Sequence, residues 1–175
     1  MTSHTIQSLN SQTLETYLAS LAGLLKTNVE DGASVSFILP FGYDAALAFW
    51  LDKVKPSIAA KKRILLVAMI DNELAGCVML DCDMPDNQLH RADIAKLLVH
   101  PKFRRRGIAR ALMVEIEHQA IAHNRSTLVL DTASEGAKIL YESLGYKVVG
   151  SIPDFALNAQ KLQLEPTIIM YKLLK

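Results

Sequence analysis

The most constraining feature of this sequence is the stretch from His90 to Ile121, where a strand-like run ends at Pro101 and a helix begins behind three arginines and carries a fourth in its first turn. The segment around His90 to His100 is apolar enough for a buried strand, and Pro101 stops it. Beyond it, Ile108, Leu112, Ile116 and Ala120 fall in one row at helical spacing, with Met113 and Ile121 beside them. A helix start gathers partial positive charge and unpaired N–H groups, so it favours Ser, Thr, Asp or Asn caps and an acidic first turn. This start carries Arg104, Arg105, Arg106 and Arg110 instead, with no side-chain cap and no acid before Glu115. Such an arrangement opposes the helix dipole unless an anion sits there. Gly107 and Ala109 are small enough to let a ligand approach the main chain, so free N–H groups, dipole and guanidinium forks together form a phosphate site. A solvated basic turn is the plainer reading of an arginine run. The small residues and the strand–Pro–loop–helix setting favour the phosphate. Neither a GxxxxGK(S/T) nucleotide loop nor a GxGxxG fingerprint occurs.

The rest of the chain reads as one domain over residues 1–175, without repeat, low-complexity tract or linker. Ser3 to Leu9 alternates weakly and predicts a short first strand. Asn10 or Ser11 can cap a helix through Leu14, Leu18, Leu21 and Leu25, closed by Gly32. Ala33 to Leu39 is apolar and ends at Pro40; Tyr43 to Val54 predicts a second helix, ended by Pro56. Ile64 to Ile70 and Leu74 to Leu80, joined by Asp71-Asn72-Glu73, read as a hairpin. After the arginine-led helix come a strand over Ser126 to Asp131, a helix over Glu135 to Leu144 and a strand over Tyr146 to Gly150. Asp154 to Glu165 reads as a polar loop and Thr167 to Leu174 as a last strand. Helices first, then a hairpin, then alternating strands and helices describe an α/β sandwich with a mixed sheet rather than a doubly wound fold.

A net charge of +1 excludes a globally basic nucleic-acid binder, so any role for positive charge is local. Cys77 and Cys82 lie five apart in one apolar run, hence on opposite faces of a strand, and are expected to be reduced core residues, as in a cytoplasmic protein. Met1 to His4 lacks signal-peptide character, and no apolar run reaches the roughly 18–20 residues that span a bilayer, so no membrane role is expected. The histidines show no metal-ligand spacing; Glu115-x-x-His118 is a single copy off the apolar row, so no metal site is read.

Leu97-Leu98-Val99-His100-Pro101 followed by Arg104-x-x-Gly107-x-Ala109 resembles motif A of the GNAT superfamily of N-acetyltransferases, and Ala137-x-x-x-Tyr141-x-x-x-Gly145-Tyr146 is similar to its motif B. Within the superfamily the chain looks like the tabtoxin-resistance-type acetyltransferases. The supporting segments are Gly32 to Val35, Arg91 to Leu97, Leu130-Asp131-Thr132 and Pro166 to Ile169. The resemblance implies a mixed, mostly antiparallel sheet of six or seven strands flanked by about four helices, with splayed central parallel strands. It also implies acetyl transfer from acetyl-CoA to the amine of a small molecule, amino-acid-like or antibiotic- or toxin-like, by direct attack and without metal. A homodimer is compatible with it. Competing expectations are a protein N-terminal or lysine acetyltransferase and a catalytically silent acyl-CoA-binding module.

The resemblance further implies that the pyrophosphate rests on the loop and helix start from Arg104 through Ile108 and Ala109 to Arg110. The pantetheine amides would pair with the strand carrying Leu97, Leu98 and Val99, a form of β-augmentation. A backbone N–H near Val99 would polarise the thioester carbonyl, while Ala137 and Ser134 would line the coenzyme; Ser134 stands where many members carry asparagine. Tyr141 matches the tyrosine that protonates or hydrogen-bonds the leaving sulfur; an apolar helical face of Ala137, Leu140, Tyr141 and Leu144 would equally explain it as core. The attacking amine must lose a proton, for which Asp131, Asp93 and His100 are the candidate acceptors.

Overall fold

The computed structural model describes residues 4–174. The expected start of the first strand at Ser3 lies outside them, and β1 is Thr5–Leu9. The Asn10 side chain accepts hydrogen bonds from the N–H groups of Gln12 (2.9 Å) and Thr13 (2.8 Å), turning the chain into α1, Thr13–Glu30. The second helix departs from expectation. Tyr43–Ala48 (α2) runs through a π-helical turn, Phe49–Val54, into Lys55–Ala59 (α3) without stopping at Pro56. Pro56 sits in the first turn of α3, where a missing N–H is tolerated; the wide turn before it absorbs the ring that an unbroken α-helix would not accommodate.

The hairpin forms as expected: β2 is Arg63–Ile70 and β3 is Glu73–Asp81. They are followed by β4, Arg91–Val99; α4, Ile108–Ala122; β5, Thr127–Thr132; and α5, Glu135–Ser143. The last two strands, β6 (Lys147–Leu157) and β7 (Leu164–Leu173), are longer than the sequence predicts. The polar segment from Asp154 to Glu165 is mostly strand, with Ala156 opposite Glu165 and Leu157 opposite Leu164. As the outermost strand, β6 is almost wholly exposed, so polar residues and Pro153 are tolerated, and its register shifts between Ile152 and Ala156.

The seven strands form one sheet in the order β1-β2-β3-β4-β5-β7-β6, antiparallel except where β4 meets β5. One face packs on α4 and α5, through Ile108, Leu112, Ile116 and Ala120. The other packs on α1, α2 and α3, through Leu14, Leu21, Leu25 and Trp50. Burying each such large side chain is worth about 1.5–3 kcal/mol. Cys77 and Cys82 are free, buried and on opposite faces. Burial pushes the Cys77 thiol up to about 12, so it is no nucleophile at neutral pH. Among the described residues, no helix is long and apolar enough to cross a membrane, and no cluster of His, Cys, Asp or Glu is arranged to hold a metal.

Candidate functional site

The start of α4 has the character read from the sequence. Gly107 occupies the position before the helix in the left-handed region (φ 78°), no side chain caps the helix, and no acid lies in its first turn. A Cβ at Gly107 would meet nothing within 4 Å, so glycine is required there by conformation, and the space above it is open. Arg105 is left-handed too (φ 63°), so two of the three residues before α4 depart from ordinary backbone conformations. Gly76 lets this helix start sit low on the sheet. A Cβ there would lie 2.6 Å from the Leu98 carbonyl oxygen and 3.3 Å from Ile108 and Leu112.

The arginines divide their work. The Arg104 guanidinium pairs with Asp31 at 2.5 Å and donates to the Asn28 side-chain oxygen at 3.3 Å, which ties the loop to the end of α1. Asn28, Asp31 and Arg104 all line the cleft, so the Arg104 guanidinium is already engaged at its wall. Arg106 lies outside the cleft wall, its guanidinium 5.6 Å from the Phe103 ring centre. Arg105 and Arg110 line the cleft, with Arg110 donating to the Ser143 hydroxyl at 2.6 Å.

Beside the helix start the sheet forks. Parallel pairing of β4 with β5 is confined to Arg91–Thr127, Ala92–Leu128 and Asp93–Val129. Beyond Asp93 the strands diverge, leaving the edge of β4 from Ile94 to Val99 without a strand partner on that side. On its other side, β4 bulges against β3 between Ala95 and Leu98, where Lys96 adopts φ 52°. A cleft of about 900 Å³ fills the fork, with Leu97, Leu98, Val99, Gly107, Ile108 and Ala109 in its wall.

Tyr141, Asp131, Ser134 and Ala137 line the same cleft. Tyr141 is buried in the α4–α5 core, and burial, reinforced by nearby Asp131, pushes its phenol up to about 12. It therefore keeps its proton throughout the physiological range, as a donor must. Asp131 is exposed and accepts a hydrogen bond from the buried Thr167 hydroxyl at 2.8 Å. Ser134 caps α5 by accepting from the Ala137 N–H at 3.3 Å, so its hydroxyl serves the helix. Asp93 stands apart: it belongs to the last paired rung below the fork, is ion-paired with Arg91 and is absent from the cleft wall. Burial raises its carboxyl above the usual range, against the pull of Arg91. His100 accepts from the Lys102 N–H at 3.2 Å and packs on Phe103, also outside the wall.

Ser36 and Lys96, which sequence reasoning left without a role, line the cleft, as does Glu165 at the end of the segment read as a polar loop. The β6–β7 turn supports that side, the Leu39 N–H donating to the Ala159 carbonyl at 2.7 Å. The one signal available was Lys96 itself, a lysine in the apolar stretch of β4 from Ile94 to Val99.

The profile of the acetyltransferase (GNAT) domain matches residues 61–148, half of the 175-residue chain. Human N-acetylaspartate synthetase is 33% identical over 100 residues, covering 56% of this chain and 32% of that protein. The chain thus spans about a third of the length of this curated relative. Among solved structures, an N-acetyltransferase from Staphylococcus aureus superposes with a TM-score of 0.80 at 15% identity, covering 99% of each chain. A protein from Salmonella typhimurium solved with its cofactor acetyl-CoA superposes with a TM-score of 0.78 at 17% identity, over 98% of this chain and 94% of that one.

Proposed function

The chain belongs to the GNAT acetyltransferase family, and from that premise we propose that it moves an acetyl group from acetyl-CoA to the amine of a small molecule. The carrying observation is convergence. An uncapped helix start, an unpaired strand edge and a buried protonated phenol meet in one cleft. The residues fit the cosubstrate: Gly107 to Arg110 offer main-chain N–H groups and a dipole to the pyrophosphate, and the edge of β4 offers its main chain to the pantetheine amides. Acetyl-CoA supplies the activated acetyl group. Tyr141 donates a hydrogen bond or its proton at the leaving sulfur. Asp131, fixed by Thr167, orients the amine and receives its proton directly or through water. Asp93, below the fork, acts on the site through charge at most.

Assignment to the tabtoxin-resistance-type branch rests on the sequence segments quoted above, and a toxin or antibiotic acceptor rests on that branch. Calorimetric titration with acetyl-CoA followed by a thiol-release screen over an amine panel tests the reading. Binding with turnover of at least one small amine is the expected result. Binding without turnover of any amine, unchanged by Tyr141→Phe, would favour a silent acyl-CoA module.

A further inference from the structure

Beyond the phosphate-binding arginines, Lys96 is the one cationic side chain in the cleft, among the described residues, with neither a carboxylate partner nor a part in acetyl transfer. Among the described residues, every other lysine is either exposed or ion-paired with a carboxylate; Lys96 is neither. It is half-buried, and its ammonium has one polar contact, the Ser36 hydroxyl at 3.4 Å. Two aromatic faces hold it from the other sides, with the Phe37 and Phe49 ring centres at 5.6 and 5.7 Å. Both polar partners occupy left-handed backbone positions, Ser36 at φ 74° and Lys96 at φ 52°. For residues other than glycine such conformations cost free energy and are kept where the fold demands a particular aim. Lys96 sits at the β4 bulge, lining the cleft with its ammonium over Phe37 and Phe49 at the margin of the apolar layer.

A lone ammonium among aromatic rings is short of solvation and of counter-charge. Burial and the nearby Arg63 guanidinium lower its pKa, and the negative charge of Asp131 offsets them only in part, so the position has room for a further anion. The carboxylates of Asp131 and Glu165 line the same cleft. Neither forms an ion pair with Lys96; Asp131 is engaged by Thr167 and Glu165 by Asn158 at 3.4 Å. One cation and two carboxylates that line one cleft without pairing complement a ligand that carries an ammonium at one end and a carboxylate at the other.

We propose that Lys96 is the receptor for a carboxylate on the acceptor, so that this protein acetylates an amine bearing its own carboxylate, an amino acid or a close relative. Ser36 orients the ammonium, the rings of Phe37 and Phe49 exclude water from it, and Asp131 meets the acceptor's amino end. The proposal rests on the acetyl-transfer reading and adds the chemical class of the acceptor.

The test compares amino acids with their methyl esters and their decarboxylated amines, in steady-state kinetics of the wild type, Lys96→Met and Lys96→Arg, with melting temperatures as a folding control. The wild type is expected to favour the acid by at least about tenfold in kcat/KM, as befits a charge-assisted contact. In Lys96→Met that ratio collapses, chiefly through a higher KM for the acid, and Lys96→Arg recovers part of it. Ser36→Ala gives the same trend more weakly. A second arm needs no turnover: an N-acetylated amino acid titrated into the CoA-loaded protein binds at least about tenfold more weakly to Lys96→Met than to the wild type. Equal use of acids, esters and amines by the wild type would overturn the proposal while leaving acetyl transfer standing. An equal loss of kcat for acid and ester in Lys96→Met, with a displaced pH profile, would also overturn it and make Lys96 the proton acceptor. If no amine turns over at all, the acetyl-transfer reading falls, and the titration still decides whether Lys96 holds a carboxylate.

Discussion

The two sides of the cleft are built from different materials. The side formed by Gly107 to Arg110 and the edge of β4 offers main-chain groups, set by one left-handed glycine and by the divergence of two strands. The side formed by Ser36, Lys96, Asp131 and Glu165 offers side chains from four separate segments, brought together by the sheet order. A main-chain site tolerates almost any side chain that keeps its conformation, and so it reads the same across a family. A side-chain site changes its ligand whenever one residue changes. On the proposed reading, cosubstrate and acceptor are specified by independent parts of the molecule, and substitutions should separate them.

The largest effect is expected where the main-chain side is broken at its root. Gly107→Glu places a side chain at φ 78° and a carboxylate at the anion site, and acetyl-CoA affinity by calorimetry should fall more than about 100-fold while the circular dichroism spectrum is kept. Unchanged affinity in the folded variant would remove the phosphate site from this account. Next is the group between the two sides. Tyr141→Phe should lower kcat by about 100-fold and shift the acetyl-CoA dissociation constant by less than about twofold. The same variant checks the phenol's burial in an alkaline unfolding series. The folded pKa of about 12 lies above the reference of 10.0, so the stability Tyr141 contributes is complete below pH 10 and is lost as the pH rises through 12. Wild type should lose stability across that window more steeply than Tyr141→Phe.

A smaller change is expected on the side-chain wall. Asp131→Asn should lower kcat/KM for the acceptor by about tenfold, with acetyl-CoA affinity within about twofold of wild type. An equal loss of acetyl-CoA affinity would merge the two sides into one. The smallest effect tests the arginine most prominent in the sequence. Arg104→Ala removes a half-exposed ion pair with Asp31, worth about 0.2–1 kcal/mol, and acetyl-CoA affinity should change by less than about fivefold. A large loss would show that its guanidinium, rather than its main chain, serves the phosphate.

This division also explains what could be read from the chain. The helix start was legible because its requirements are local: Pro101 ends a strand, Gly107 permits one backbone conformation, and the missing cap is visible within a few residues. The order of elements and the mixed sheet followed from periodicity. The acceptor wall was illegible because no short-range signal joins Ser36 to Lys96 or Asp131 to Glu165. Asp131 and Glu165 meet because β7 enters between β5 and β6, against chain order, and Ser36 reaches Lys96 from the segment between α1 and α2. Asp93 was placed near the site by counting along the strand, yet the fork opens one residue too late for it to reach the wall. Pro56 was read as a stop because the π-helical turn that accommodates it leaves no compositional trace. Asp154 to Glu165 was read as loop because an edge strand exposed on both faces carries the same polar residues that a loop does.

The short contact between β4 and β5 bears on the thermodynamics of the whole fold. Three rungs join the two halves of the sheet, and the strand edge above them is left to solvent. A ligand that pairs with this edge binds the folded chain and has no counterpart in the unfolded one. By mass action it raises the unfolding free energy by RT ln(1 + [L]/Kd), about 2.7 kcal/mol at a hundredfold excess over the dissociation constant. The melting temperature is thus a direct gauge of occupancy, and the seam at which the sheet is thinnest is where saturation with cosubstrate should most slow hydrogen exchange.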